Sequence, residues 1–151
     1  MDKSKNPGIS IASVHLFQCS VGDLNSKSEL KFSLGITHFK REVLSEGKLL
    51  SIVVGFDLMQ GIDNPPCKFD FVFGASYLRS EESNMTWDDF QDHVAVAHII
   101  PYVREFVSNI TTRLPLSVLM VPPVNTSKLL AEFRERSAAA PSAVVASTVT
   151  G

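Results

Sequence analysis

The side chains able to do acid–base, nucleophilic or metal chemistry are few in this chain, and their spacing suits none of those tasks. His93 and His98 are five apart, whereas a helix brings two imidazoles onto one metal at a spacing of four, and no cysteine lies near either. His93 with Asp89 one turn earlier has the makings of a general base and its orienter. The same pair reads more simply as the solvated, acidic start of a helix, and that reading outweighs the first. His15 and His38 fall in strand-like stretches and read as edge or core residues. There is no G-x-S-x-G, no glycine-rich loop after a strand and no phosphate-binding lysine motif. No catalytic residue, metal or cofactor is expected.

Apolar surface is what the chain has in quantity. Phe69, Phe71 and Phe73 recur at the period of a strand, and residues 116–121 form an almost wholly apolar run closed by Pro122-Pro123. The first reading of the aromatic stripe is a core face packed under a helix. Ten Phe, four Met and that apolar run nevertheless exceed what one small sheet and a helix cover. The excess points to a subunit interface or a groove for apolar ligands.

The elements that would position these residues follow in order. A polar arm over residues 1–8 is expected to be disordered. Strands are expected over 9–21, 30–37, 49–59 and 68–78. In the second, Leu30, Phe32, Leu34 and Ile36 alternate with polar or small residues. Short connections favour an antiparallel meander with one face wet and one covered. Thr86 suits an N-cap, with Asp88 and Asp89 in the following turn. Pro101 then requires a boundary, so a short helix should precede a long one carrying Val103, Phe106, Val107, Ile110 and Leu114 on one stripe. Thr126 or Ser127 would cap a last helix with Leu129, Leu130 and Phe133 on one side. Residues 137–151, small and uncharged, read as a mobile tail. The fold class expected is α+β, with one domain over 9–136.

At 151 residues and 44% hydrophobic, the chain is long enough to bury roughly 70% of its unfolded surface. Its net charge of −2 offers no footprint for nucleic acid or an anionic membrane. No apolar run approaches the roughly 20 residues of a spanning helix, so no membrane insertion is expected. Cys19 and Cys67 lie far apart without C-x-x-C spacing and read as free thiols of a cytoplasmic protein.

Pro101-Tyr-Val-Arg-Glu105, then Ser108-Asn109, Arg113 and Leu119-x-Val121-x-Pro123-Val-Asn125, resemble the signature of the SecB family of export chaperones. The similarity is strongest from about residue 87 to 133 and extends more weakly back through the four strands. The resemblance implies a four-stranded antiparallel sheet with helices packed on one face, and a homotetramer built as a dimer of dimers. It implies an ATP-independent holdase that binds unfolded preproteins, keeps them translocation-competent and passes them to the motor SecA. Under it, Phe17, Phe56, Leu116, Val118 and Met120 are the client-binding candidates. Phe69, Phe71 and Phe73, with Val103 and Phe106, match subunit-contact positions, and Asp70 matches an acidic SecA contact.

The chain also departs from that pattern. Gln18-Cys-Ser-Val21 stands where the family has acidic residues, the connection 22–29 is short and lacks a tryptophan, Thr126 replaces an aromatic, and the tail is uncharged. Some family members serve toxin–antitoxin pairs instead, and this chain fits that role too. A reading from another class is a small acyl-CoA thioesterase, in which Asp89 or Asp92 on the helix would activate water.

Overall fold

A computed structural model of the protein describes residues 8–25 and 27–139. The expectations for residues 1–7 and 140–151 lie outside the described residues. Four strands, β1 (Ile9–Gly22), β2 (Gly35–Leu44), β3 (Leu49–Asp57) and β4 (Lys68–Arg79), form one antiparallel sheet, and two helices, α1 (Asp92–Thr111) and α2 (Thr126–Ala139), complete the α+β fold. The last helix runs three residues into the stretch read as tail.

The sheet order is β1-β4-β3-β2, so the expected meander is only partly right. β2, β3 and β4 do follow one another as neighbours, but β1 pairs with β4. Residues 23–25 and 27–34 therefore cross the end of the sheet to reach its far edge. That crossing is tied to the β3–β4 connection: the Asn25 N–H donates to the Pro66 carbonyl at 2.8 Å, and the Ser33 N–H donates to that of Leu58 at 2.8 Å. The alternation at Leu30, Phe32 and Leu34 comes from this crossing and not from a strand. Phe32 and Leu34 pack on the core while Leu30 is exposed, and β2 proper begins at Gly35. A chain running along the edge of a core alternates just as a half-buried strand does.

One sheet face carries the core. Leu50, Ile52, Val54 and Phe56 of β3 and Phe69, Phe71, Phe73, Ala75 and Tyr77 of β4 are buried there against Val96, Ile99, Val103 and Val107 of α1. The pleat turns the alternate residues, including Asp57, Asp70, Val72 and Gly74, to the opposite face. β1 bulges between Ile11 and Ser13 and between Leu16 and Gln18. The second bulge sends Phe17 to the outer face, where its ring lies over Gly74; a Cβ on Gly74 would meet that ring at 2.2 Å.

Thr86 is an N-cap, and it forms a reciprocal capping box with Asp89, but what it opens is a three-residue 3₁₀ turn at Trp87–Asp89. The expected pair of helices is a single α1 with Pro101 inside it. Proline's missing N–H would have served the carbonyl of Ala97, a residue on the exposed side of the helix, while Ile99, Ile100, Val103 and Val107 hold both halves on the sheet. The cap of α2 is Asn125, whose Oδ1 accepts the Lys128 N–H at 3.0 Å, in place of Thr126 or Ser127.

Candidate functional site

The apolar run 116–121 is partly buried and partly exposed. It is not paired into the sheet, and it runs back beside α1 with Leu119 and Val121 buried in the core. Between and beside them Val118 is 47% exposed and Met120 69%, and Leu116 is half-buried. Just beyond lies an open cleft of about 430 Å³ between the crossing segment and the approach to α2, with apolar side chains set among polar ones. Phe32 and Leu34 line one side, and Val121, Pro123, Val124 and Leu129 the other. Lys128 and Glu132, paired one turn apart at 3.9 Å, stand at its rim.

The remaining candidates scatter. Phe56 is wholly buried, stacked on Phe71 at 5.3 Å, and no client can reach it. Phe17 is 61% exposed but on the outer face of the sheet, away from Met120. Phe69, Phe71 and Phe73 surround the ring of Phe106 at 6.0, 5.4 and 5.7 Å, so the aromatic stripe and Val103 are covered by the chain's own α1. A second copy would find little of them to touch. What α1 leaves open is its far flank beside β1, where Leu16, Tyr102, Glu105, Phe106 and Asn109 line a small hollow of about 180 Å³. Asp70 is exposed on the outer face directly opposite Asp57. Partial burial, then the Asp57 charge, push its carboxyl above the usual range, and Lys68 opposes that shift.

Phe32, Leu34, Val124 and Leu129 were not among the sequence candidates. Their signal was present as apolar spacing, but spacing does not say which side of a connection faces a gap.

The carboxylates proposed for water activation are engaged elsewhere. Asp89 Oδ2 accepts from the Thr86 N–H and hydroxyl, both at 3.0 Å. Asp92 takes Arg41 at 2.8 Å on Oδ1 and Arg134 at 2.6 Å on Oδ2. Arg41 also donates to the carbonyls of Phe90, at 2.7 Å, and Trp87. This cluster lines an open hollow of about 460 Å³ with His93 and Asp88, and its work is to tie β2, α1 and α2 together. Among the described residues, no group of three or more His, Cys, Asp or Glu is placed to hold a metal ion.

No protein-family model and no curated protein matches the sequence. Solved structures do match. A SecB-like chaperone of Mycobacterium tuberculosis, in complex with a ChAD peptide from the HigA1 antitoxin, superposes over 81% of this chain and 89% of that one, at 18% identity and a TM-score of 0.58. The chain has the SecB-like fold. A protein of unknown function from Streptococcus agalactiae is 16% identical over 76% of this chain and 97% of its own, at a TM-score of 0.46. The two faces of the molecule differ: helices, exposed strip and cleft lie on one side, and on the other a sheet face bears Phe17 and Asp70.

Proposed function

We propose that this protein is an ATP-independent holdase of SecB type, acting in the cytoplasm without a cofactor and capturing unfolded polypeptide on the strip 116–121 and the adjoining cleft. The observation that carries the reading is the pairing of outward Val118 and Met120 with a gap lined by Phe32, Leu34, Val124 and Leu129. Such side chains offer contact area without demanding polar partners, which suits clients of varied sequence. Its test is suppression of light scattering by a chemically denatured client, with and without Leu116→Ser and Met120→Ser together. The parent should suppress aggregation and the double variant should do so several-fold less well, with unchanged circular dichroism. Equal protection would move the site elsewhere, and no protection by either would end the reading.

Homo-oligomerisation belongs to the same proposal, up to the tetramer of the family. β1 is an edge strand of 14 residues without Asp, Glu, Lys or Arg, an edge of the kind that pairs unless blunted. Ile11, Leu16 and Tyr102 are exposed beside it. Copies would then meet along β1 and the open flank of α1, and not through the buried phenylalanine stripe.

The clients are unfolded preproteins destined for SecA in one version, with Asp70 as a contact. A second version has a specific observation behind it: the matched SecB-like structure holds a peptide of an antitoxin. The outer face of β1 bears Ser13, His15, Gln18 and Ser20, with no carboxylate to add to Asp70 and Asp57. That weighs toward a toxin–antitoxin role, and titration with purified SecA and with antitoxin peptides separates the two.

A further inference from the structure

Two side chains of α1 hold the strip from below. Thr111 Oγ1 donates to the Val107 carbonyl at 2.8 Å and accepts the N–H of Leu119 at 3.0 Å. Arg104 Nε donates to the carbonyl of Val121 at 2.9 Å. Arg104 and Thr111 are seven residues apart, two helical turns on one stripe, or about 10 Å along the axis. Leu119 and Val121 lie two apart, about 7 Å in an extended chain. The strip therefore runs back along α1, its later residue on the earlier turn. In extended backbone, alternate residues turn their N–H and C=O to one side and their side chains to one face. Anchoring 119 and 121 thus points Leu119 and Val121 into the core and Val118 and Met120 out. A slip of one residue would bury Met120 and expose Leu119.

We propose that Arg104 and Thr111 are positioning residues that set this register, and so decide which side chains the strip presents to a client. The proposal rests on the holdase reading for its consequence but not for its geometry. Thr111 is wholly buried, and among the described residues only Ser83 is otherwise both polar and buried. Valine has nearly the same shape but leaves the Leu119 N–H without an acceptor, and a buried unpaired donor favours detachment into water. Arg104 is exposed, so its replacement tests the second anchor without touching the core.

The test uses the full chain as Thr111→Val, Arg104→Met and the conservative Thr111→Ser. Three quantities are read: affinity for reduced, alkylated α-lactalbumin, hydrogen exchange at the Leu119 amide, and the emission of Trp87 as a check on the core. Thr111→Val and Arg104→Met should weaken client binding about fivefold to tenfold, the worth of one lost main-chain hydrogen bond. Leu119 exchange should quicken by a similar factor, Trp87 emission should hold, and Thr111→Ser should keep parent values. Parent-like exchange and affinity in Thr111→Val, or a serine variant as impaired as the valine, would overturn the proposal. If the parent binds no client, the holdase reading fails, and the exchange measurement still decides whether the anchors set the register.

Discussion

Tyr77 is the residue whose surroundings most change its chemistry. Its ring lies 4.9 Å from that of Phe90, and its hydroxyl reaches the Ala95 carbonyl at 3.4 Å and His98 Nδ1 at 3.3 Å. Burial pushes the phenol from 10.0 up to about 12. The folded state therefore holds that proton more tightly than the unfolded chain does. The associated stability is fully present below pH about 10 and is lost as pH rises toward about 12, by on the order of 2 kcal/mol. Urea unfolding at pH 9.5 and 11.5 should show this loss in the parent, and Tyr77→Phe should flatten most of it. The phenylalanines show the same force of burial differently. Phe71 was legible as a core residue from its period, and that reading holds, because its neighbours Phe56 and Phe106 come from the same chain.

At the scale of elements, the joint between β2 and the start of α1 depends on Arg41. Its guanidinium serves two carbonyls and Asp92, and Arg134 of α2 shares that carboxylate. With Arg41 and Asp92 each about a quarter exposed, at 24% and 23%, the pair is screened less than a surface one. Arg41→Met is expected to cost about 2 kcal/mol, since it strips carbonyls and a carboxylate of their donor at once. Chemical denaturation checks this, and a change within about 0.5 kcal/mol would mean that water replaces the guanidinium. No sequence pattern announced the joint, because its members are 51 positions apart. The 3₁₀ turn was half legible: the Thr86 and Asp89 capping box stands in the sequence, but the chain turns extended at Phe90, packed against Tyr77, before α1 begins at Asp92.

For the whole molecule, the question is what covers β1. Its helix-side residues Ile11 and Leu16 stay 42% and 41% exposed, and the strand ladder on that edge is open. If copies pair there, Leu16→Glu sets a carboxylate beside Glu105 in an apolar seam, which costs several kcal/mol when unpaired. Multi-angle light scattering should then show a fall to the monomer or a smaller assembly, with circular dichroism preserved because Leu16 is exposed in the single copy. An unchanged mass would place the seam elsewhere.

The sequence by itself determined three of the four strands, the apolar stripe of the long helix, the Thr86 cap and the apolar run at 116–121. These follow from local period and residue type, which need no knowledge of distant neighbours. Only the tertiary structure decided that β1 pairs with β4, that Phe56 and the aromatic stripe are used up internally, and that Phe17 faces away from Met120. It also decided that Val118 and Met120 look outward while Leu119 and Val121 look in. Each of these is a choice between two faces or two partners of equal local propensity. Such choices are settled by contacts between residues far apart in the chain, through side chains such as Thr111 and Arg104 that anchor one segment upon another.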